Sequence, residues 1–183
     1  SDPWGLCPFN NAKYKDKERG YGTMAFTDVD ATRSSWDAIS YVANANLMGG
    51  YPDGSFRPKE SVSVAEMAKI ISLFLNAGEE IPAMPSKNKK DTYHENFWAC
   101  GYIDYCIKNG IFLDSYIDKP DQSIDNEKLE EIFVALEKYL NISNESIHRH
   151  FKEAVRAPTR EDIAILLYDF AKFFSGEVMK QID

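Results

Sequence analysis

The chain has 183 residues, of which 44% are hydrophobic and 27% charged, the make-up of an ordinary globular protein long enough to bury a core. Its 29 acidic against 21 basic side chains give a formal net charge of -8, so a nucleic-acid partner, which needs clustered Lys and Arg, is not expected. No apolar run approaches the roughly 18 to 20 residues that cross a bilayer, so no membrane insertion is expected either.

Residues 1–25 are polar, contain Pro3, Pro8, Gly5, Gly20 and Gly22, and show no sustained period. They are expected to form an N-terminal arm, and Ser1 to Asn10 does not read as a secretory leader. A helical stretch follows, with Ile39, Val42, Ala43 and Leu47 on one face. The run "GGYPDGSFRP" then supplies turn chemistry in Pro52, Asp53 and Gly54, between Tyr51 and Phe56. Ser63 is a good N-cap with Glu66 three residues on, a capping box. Counted from that cap, offsets 4, 7, 8 and 11 are Met67, Ile70, Ile71 and Phe74, one helical face.

The same ruler applies twice more. From Asp125 the four offsets fall on Leu129, Ile132, Phe133 and Leu136, and from Thr159 on Ile163, Leu166, Leu167 and Phe170. Each capped helix also follows another helical stretch, the second carrying Ile103, Cys106, Ile107 and Ile111 and the third Ile147, Phe151 and Val155. Three matches, each beginning at a capping residue, predict three copies of a helix–connector–helix unit. The connectors shrink along the chain: 16 positions from Leu47 to Ser63, 14 from Ile111 to Asp125, four from Val155 to Thr159. Gly78 to Lys90 reads as a linker.

At this point Phe26 to Leu75, "FTDVDATRSSWDAISYVANANLMGGYPDGSFRPKESVSVAEMAKIISLFL", resembles an S-layer homology repeat. That family runs as an F-x-D-V opening, a Trp-bearing helix, a G-Y-x-D-G-x-F-x-P loop and a T-R-A-E helix start. Asp91 to Leu140 is a weaker likeness, and Ser146 to Phe174 keeps the cap region without the loop. The resemblance implies an all-α domain of three repeats about a pseudo-threefold axis, here 26–76, 91–140 and 141–175 after the 1–25 arm. It implies a non-catalytic module on the bacterial cell surface, extracellular, binding a secondary cell-wall polysaccharide that often carries a pyruvate ketal. The alternative is a degenerate repeat domain serving as an extracellular protein-interaction scaffold.

The family's binding positions carry over to Asp28, Gly50, Tyr51, Asp53, Gly54, Trp98 and Arg160. The T-R-A-E arginine is Val64 in the first copy and Asn126 in the second, and only Arg160 in the third retains it. Trp98 stands 13 before Ile111, where the family puts it, whereas Trp36 is 11 before Leu47 and Ser34 takes the expected slot. Arg160 at a first helical position reads as an anion site, with free backbone N–H groups beside a forked donor. The alternative there is a solvated arginine paired with Glu161.

Other features read as structural. Asp28, Asp30 and Thr32 alternate as in a calcium loop, but Arg33 and Ile39 occupy the required Gly and Glu positions, so no metal is expected. His148 and His150 diverge by about 200° on a helix and read as surface residues. The pairs Glu79-Glu80 and Glu130-Glu131 read as solvated. With no nucleophile or phosphate-loop motif, no enzyme activity and no cofactor are expected. Of the three cysteines, Cys100 and Cys106 point apart and read as buried thiols, while a Cys7 bridge to one of them stays open.

Overall fold

The structure, a computed structural model, describes residues 26–81 and 98–182. The N-terminal arm, most of the linker, the opening of the second copy, Cys7 and His94 lie outside the described residues. The described chain is helical: α1 Trp36–Asn44, α2 Val64–Leu75, α3 Cys100–Lys108, α4 Asn126–Leu140, α5 Glu145–Glu153 and α6 Arg160–Ile182, with a short 3₁₀ helix at Asp114–Asp118. Two isolated bridges, Phe26 with Val29 and Ser63 with Ser123, are the extended pieces among the described residues.

The long helices begin where the caps predict. Ser63 Oγ accepts from Glu66 N at 3.1 Å while Glu66 Oε1 accepts from Ser63 N at 3.2 Å, a reciprocal capping box. Asp125 accepts from Lys128 N at 2.8 Å. At Thr159 an aspartate plays the glutamate's part, Asp162 Oδ2 accepting from Thr159 N at 2.9 Å. All twelve face positions are buried, and Met67, Leu129 and Ile163 have no exposed area, so the period-3.6 stripes do form core.

The chain divides into two compact units. One comprises Ser1–Glu60, Phe74–Glu79 and Thr159–Asp183, the other Ser61–Leu73 and Glu80–Pro158. In the first, α1 packs against α6, Tyr41 meets Tyr168 at 5.5 Å between ring centroids, and Phe74 meets Phe170 edge-on at 5.9 Å. In the second, α4 packs against α5, with Phe133 and Phe151 at 6.2 Å. There Cys106 Sγ donates to Ala68 O at 3.5 Å, and burial pushes its thiol pKa up. Cys100 is buried as well.

The same backbone device recurs in both units. In the first unit, the leading N–H groups of α6 donate to a connector, Arg160 N to Glu60 O at 2.8 Å and Glu161 N to Pro58 O at 2.9 Å. In the second, Val64 N donates to Gln122 O and Ala65 N to Pro120 O, both at 2.9 Å. Carbonyls of a P-x-[EQ] run thus satisfy N–H groups that a helix start leaves without an intrahelical partner. The sequence "DKPDQ" looks degraded beside "FRPKE", yet it keeps this function. Where the third connector has collapsed, a side chain substitutes: Asn126 Nδ2 donates to Arg156 O at 2.7 Å.

Helix endings recur too. Val42 O accepts from Leu47 N and Met48 N at 2.9 and 3.1 Å, and Cys106 O from Ile111 N and Phe112 N at 2.8 and 3.2 Å. Each ending needs a left-handed residue, Asn46 at φ 60 and Gly110 at φ 73. The third leading helix departs from expectation. Its Ile147 and Phe151 are buried, but α5 stops at Glu153 and Val155 is 97% exposed. With only four positions left before Thr159, the chain turns away before Val155 can join the face.

His148 also differs from its surface reading. It is partly exposed, but its Nε2 lies 2.9 Å from Oε1 of the buried Glu137. Oε2 of Glu137 accepts from Asn144 N at 3.0 Å, and the Asn144 side chain in turn caps α5 through Ser146 N at 3.1 Å. The histidine therefore belongs to the polar link between α4 and α5.

Candidate functional site

Six of the seven predicted binding residues come together in the first unit, around the connector loop 49–57. The loop is a tight turn: Gly54 N donates to Tyr51 O at 2.9 Å, and Tyr51 N to Ser55 O at 2.8 Å. Gly54 sits at φ +84, a conformation that side-chain-bearing residues rarely adopt. Gly50 is required for a different reason. A Cβ there would stand 2.5 Å from Phe26 Cε1 and 2.9 Å from Ser55 O.

Two aspartates fasten the loop. Asp28 accepts from Phe56 N at 2.9 Å and Arg57 N at 2.8 Å. Desolvation pushes the Asp28 carboxyl up, but these bonds together outweigh it and hold its pKa below the ordinary value. Asp53 accepts from Ser55 Oγ at 2.5 Å and Ser55 N at 2.9 Å, and these bonds lower its pKa. Asp30 bonds instead to Thr32 N at 2.8 Å, so the alternating acids of "DVDATR" serve separate backbone tasks. Among the described residues, no three His, Cys, Asp or Glu side chains cluster as a metal site would require.

Arg160 projects from the start of α6 onto this loop. Its Nε donates to Phe56 O at 2.9 Å and its Nη2 to Gly49 O at 2.5 Å. The guanidinium carbon lies 4.6 Å from the Phe56 ring centroid and 5.0 Å from that of Tyr51. Arg160 is only 6% exposed. Both sequence readings of this residue therefore change. It is not a solvated partner of Glu161, because Glu161 pairs with Arg33, whose Nε donates at 3.0 Å. Nor are the N–H groups beside it free. Those of Arg160 and Glu161 serve Glu60 O and Pro58 O, and Asp162 N faces Thr159 Oγ1 at 3.4 Å.

The partly exposed cation of the loop is Arg57, which sequence reasoning did not single out. Its backbone is left-handed at φ 58, and its guanidinium lies 3.7 Å over the Tyr51 ring. The residue stands at the unspecified position of F-x-P. Its sequence signal, an arginine beside a glycine turn, does not reveal that Asp28 holds its backbone.

Trp98 lies in the other unit. It is 53% exposed and meets Tyr102 edge-on at 6.4 Å, two residues before α3 begins. Lys69 Nζ stands 5.9 Å over the Tyr102 ring. The Tyr102 hydroxyl donates to Glu80, and desolvation, then that carboxylate, push its pKa up to about 12.

A helical module built from capped helices and connector loops is the class that these features define. Within it, residues 25–68 match the S-layer homology domain. Over 106 residues it is 34% identical to a cellulosome-anchoring protein of Acetivibrio thermocellus, a match covering 56% of this chain and 23% of that protein. It is 31% identical over 112 residues to an S-layer protein of Bacillus licheniformis, covering 60% and 12%. Against S-layer protein EA1 of Bacillus anthracis it is 33% identical over 87 residues, covering 48% and 10%. The chain thus spans less than a quarter of the length of these relatives. No solved structure matches it.

Proposed function

We propose that the chain is a non-catalytic anchoring module of the bacterial cell surface that binds a secondary cell-wall polysaccharide at the 49–57 loop. The S-layer homology match and the anchoring and S-layer relatives support the cell-surface role. The observation that carries the polysaccharide reading is Arg160. The retained arginine of one copy meets the G-Y-x-D-G loop of another through Gly49 O and Phe56 O. This pairing supports a groove between repeats lined by Tyr51, Asp53 and Gly54. An aromatic face such as Tyr51 suits the apolar side of a sugar ring. The three-repeat, pseudo-threefold order is part of the same proposal, supported by the recurrent pairing of helix starts with connector carbonyls.

The test is co-sedimentation with purified peptidoglycan sacculi, intact or stripped of their attached polysaccharide. The chain should pellet with intact sacculi and stay in solution with stripped ones. Equal pelleting with both would assign binding to peptidoglycan. Pelleting with neither would favour the protein-interaction alternative.

A further inference from the structure

We infer that α5 is a releasable strap that lifts off α4 while the other helices stay folded, and that Glu137, His148 and Asn144 form the latch that seats it. The inference is independent of the polysaccharide reading, because α4 and α5 belong to the second unit and the 49–57 loop to the first. The strap is lightly anchored. Over nine residues it buries Ile147 and Phe151, whereas α1, of equal length, buries five side chains. Val42 O and Cys106 O each collect two N–H groups where α1 and α3 end, but α5 ends on one long bond, Ala154 N to Phe151 O at 3.4 Å. Val155 beyond it stands in solvent instead of joining the face. Extended residues flank the helix on both sides, Asn144 at ψ 99 and Ala154 at ψ 126, and the left-handed Asn141 turns the chain just before it. A segment with few buried apolar contacts between two such joints is the kind that opens locally, below the free energy of global unfolding.

The latch is polar. Glu137 on α4 is buried, and both of its oxygens face α5. His148 Nε2 lies 2.9 Å from Oε1 and 3.3 Å from Oε2, and Asn144 N donates to Oε2 at 3.0 Å. Asn144 Oδ1 in turn holds the first turn of the strap, accepting from Ser146 N at 3.1 Å and Ser146 Oγ at 2.8 Å. One carboxylate thus fixes the start and the middle of α5. It loses hydration when the strap closes and regains it when the strap opens, so the latch sets one register at little net gain in stability. Asn144 Nδ2 is buried with no acceptor among the described residues, a further cost of the closed seat. Opening uncovers the Phe133 ring, which packs on Phe151 at 6.2 Å, together with Glu137. The result is an apolar patch beside a charge that the closed state hides.

Hydrogen exchange of the full chain, read by peptide mass spectrometry, is the experiment. In the wild type, protection factors over 145–153 should be about 10- to 1,000-fold lower than those over 126–140. Low denaturant should leave exchange in α5 nearly unchanged while it speeds exchange in α4, because lifting one short helix exposes little surface. His148→Ala, a change at a half-exposed side chain, should speed α5 exchange about 3- to 10-fold. Asn144→Ala, which removes the cap of the strap, should speed it by about the same factor or more. Protection in α4, α1 and α6 should stay at the wild-type level in both variants. Equal protection of α5 and α4 in the wild type would overturn the strap. Loss of α4 protection along with that of α5 in Asn144→Ala would make the two helices one cooperative element and overturn it as well. If α5 exchanged fast in the wild type but no faster in His148→Ala, the latch would fall.

Discussion

Replacing Arg160 by alanine should destabilise the first unit rather than only weaken binding. The guanidinium makes two charge-assisted bonds, to Phe56 O at 2.9 Å and Gly49 O at 2.5 Å. Hydrogen bonds from charged groups contribute about 1.5 to 3 kcal/mol each, and truncation would leave the Phe56 carbonyl beside a fully buried ring. The two bonds share one side chain and do not add, so a total of about 3 kcal/mol is a reasonable expectation. In a chain of this size each kcal/mol lowers the melting temperature by about 2 to 4 °C, which predicts a fall of about 6 to 12 °C. Arg160→Lys should recover only part of this, because an ammonium lacks the fork that reaches both carbonyls. Thr159 still caps α6 in both variants, so the far-ultraviolet circular dichroism at low temperature should be unchanged. Thermal melts of the three proteins provide the assay. An Arg160→Ala midpoint within about 2 °C of wild type would refute the view that this side chain secures the loop.

Met67→Ala, Leu129→Ala and Ile163→Ala each truncate a side chain with no exposed area, and each should cost about 2 to 5 kcal/mol in denaturant titrations. Gly50→Ala should destabilise by about 1 to 3 kcal/mol because its Cβ would meet Phe26 and Ser55 O, whereas at Gly49 a Cβ meets nothing within 4 Å and the substitution should be nearly neutral. The Asp28 carboxyl titrates below its ordinary value of 3.8 in the folded state. Its contribution is therefore complete above that value and is lost as pH falls below it, through the depressed folded value. Melts recorded between about pH 6 and 2.5 should show a shallower acid decline for Asp28→Asn than for wild type.

Features set by neighbouring residues were legible in the sequence. Ser63, Asp125 and Thr159 cap through contacts three residues away, so spacing alone located the three helix starts. The stripes from Met67, Leu129 and Ile163 were legible because a face that repeats every 3.6 residues must be buried. What escaped depends on distant partners. The fate of the Arg160 guanidinium is decided by Phe56, 104 positions away, and no local pattern encodes that. Arg57 was not singled out because its left-handed backbone is imposed by Asp28 from 29 positions away. Val155 was read as a core position from its spacing, but the collapsed third connector takes the chain out of the helix first. His148 looked like a surface residue because the sequence does not show that Glu137, 11 positions earlier, is buried beneath it.

The central claim, that the loop bounded by Gly49 and Arg57 receives a cell-wall glycan, is tested most directly by isothermal titration of the chain with purified secondary cell-wall polysaccharide. Saturable binding that weakens as salt is raised from about 0.05 to 0.5 M is the predicted result. A wild-type chain that melts cooperatively yet gives no saturable heat with the polysaccharide would contradict it.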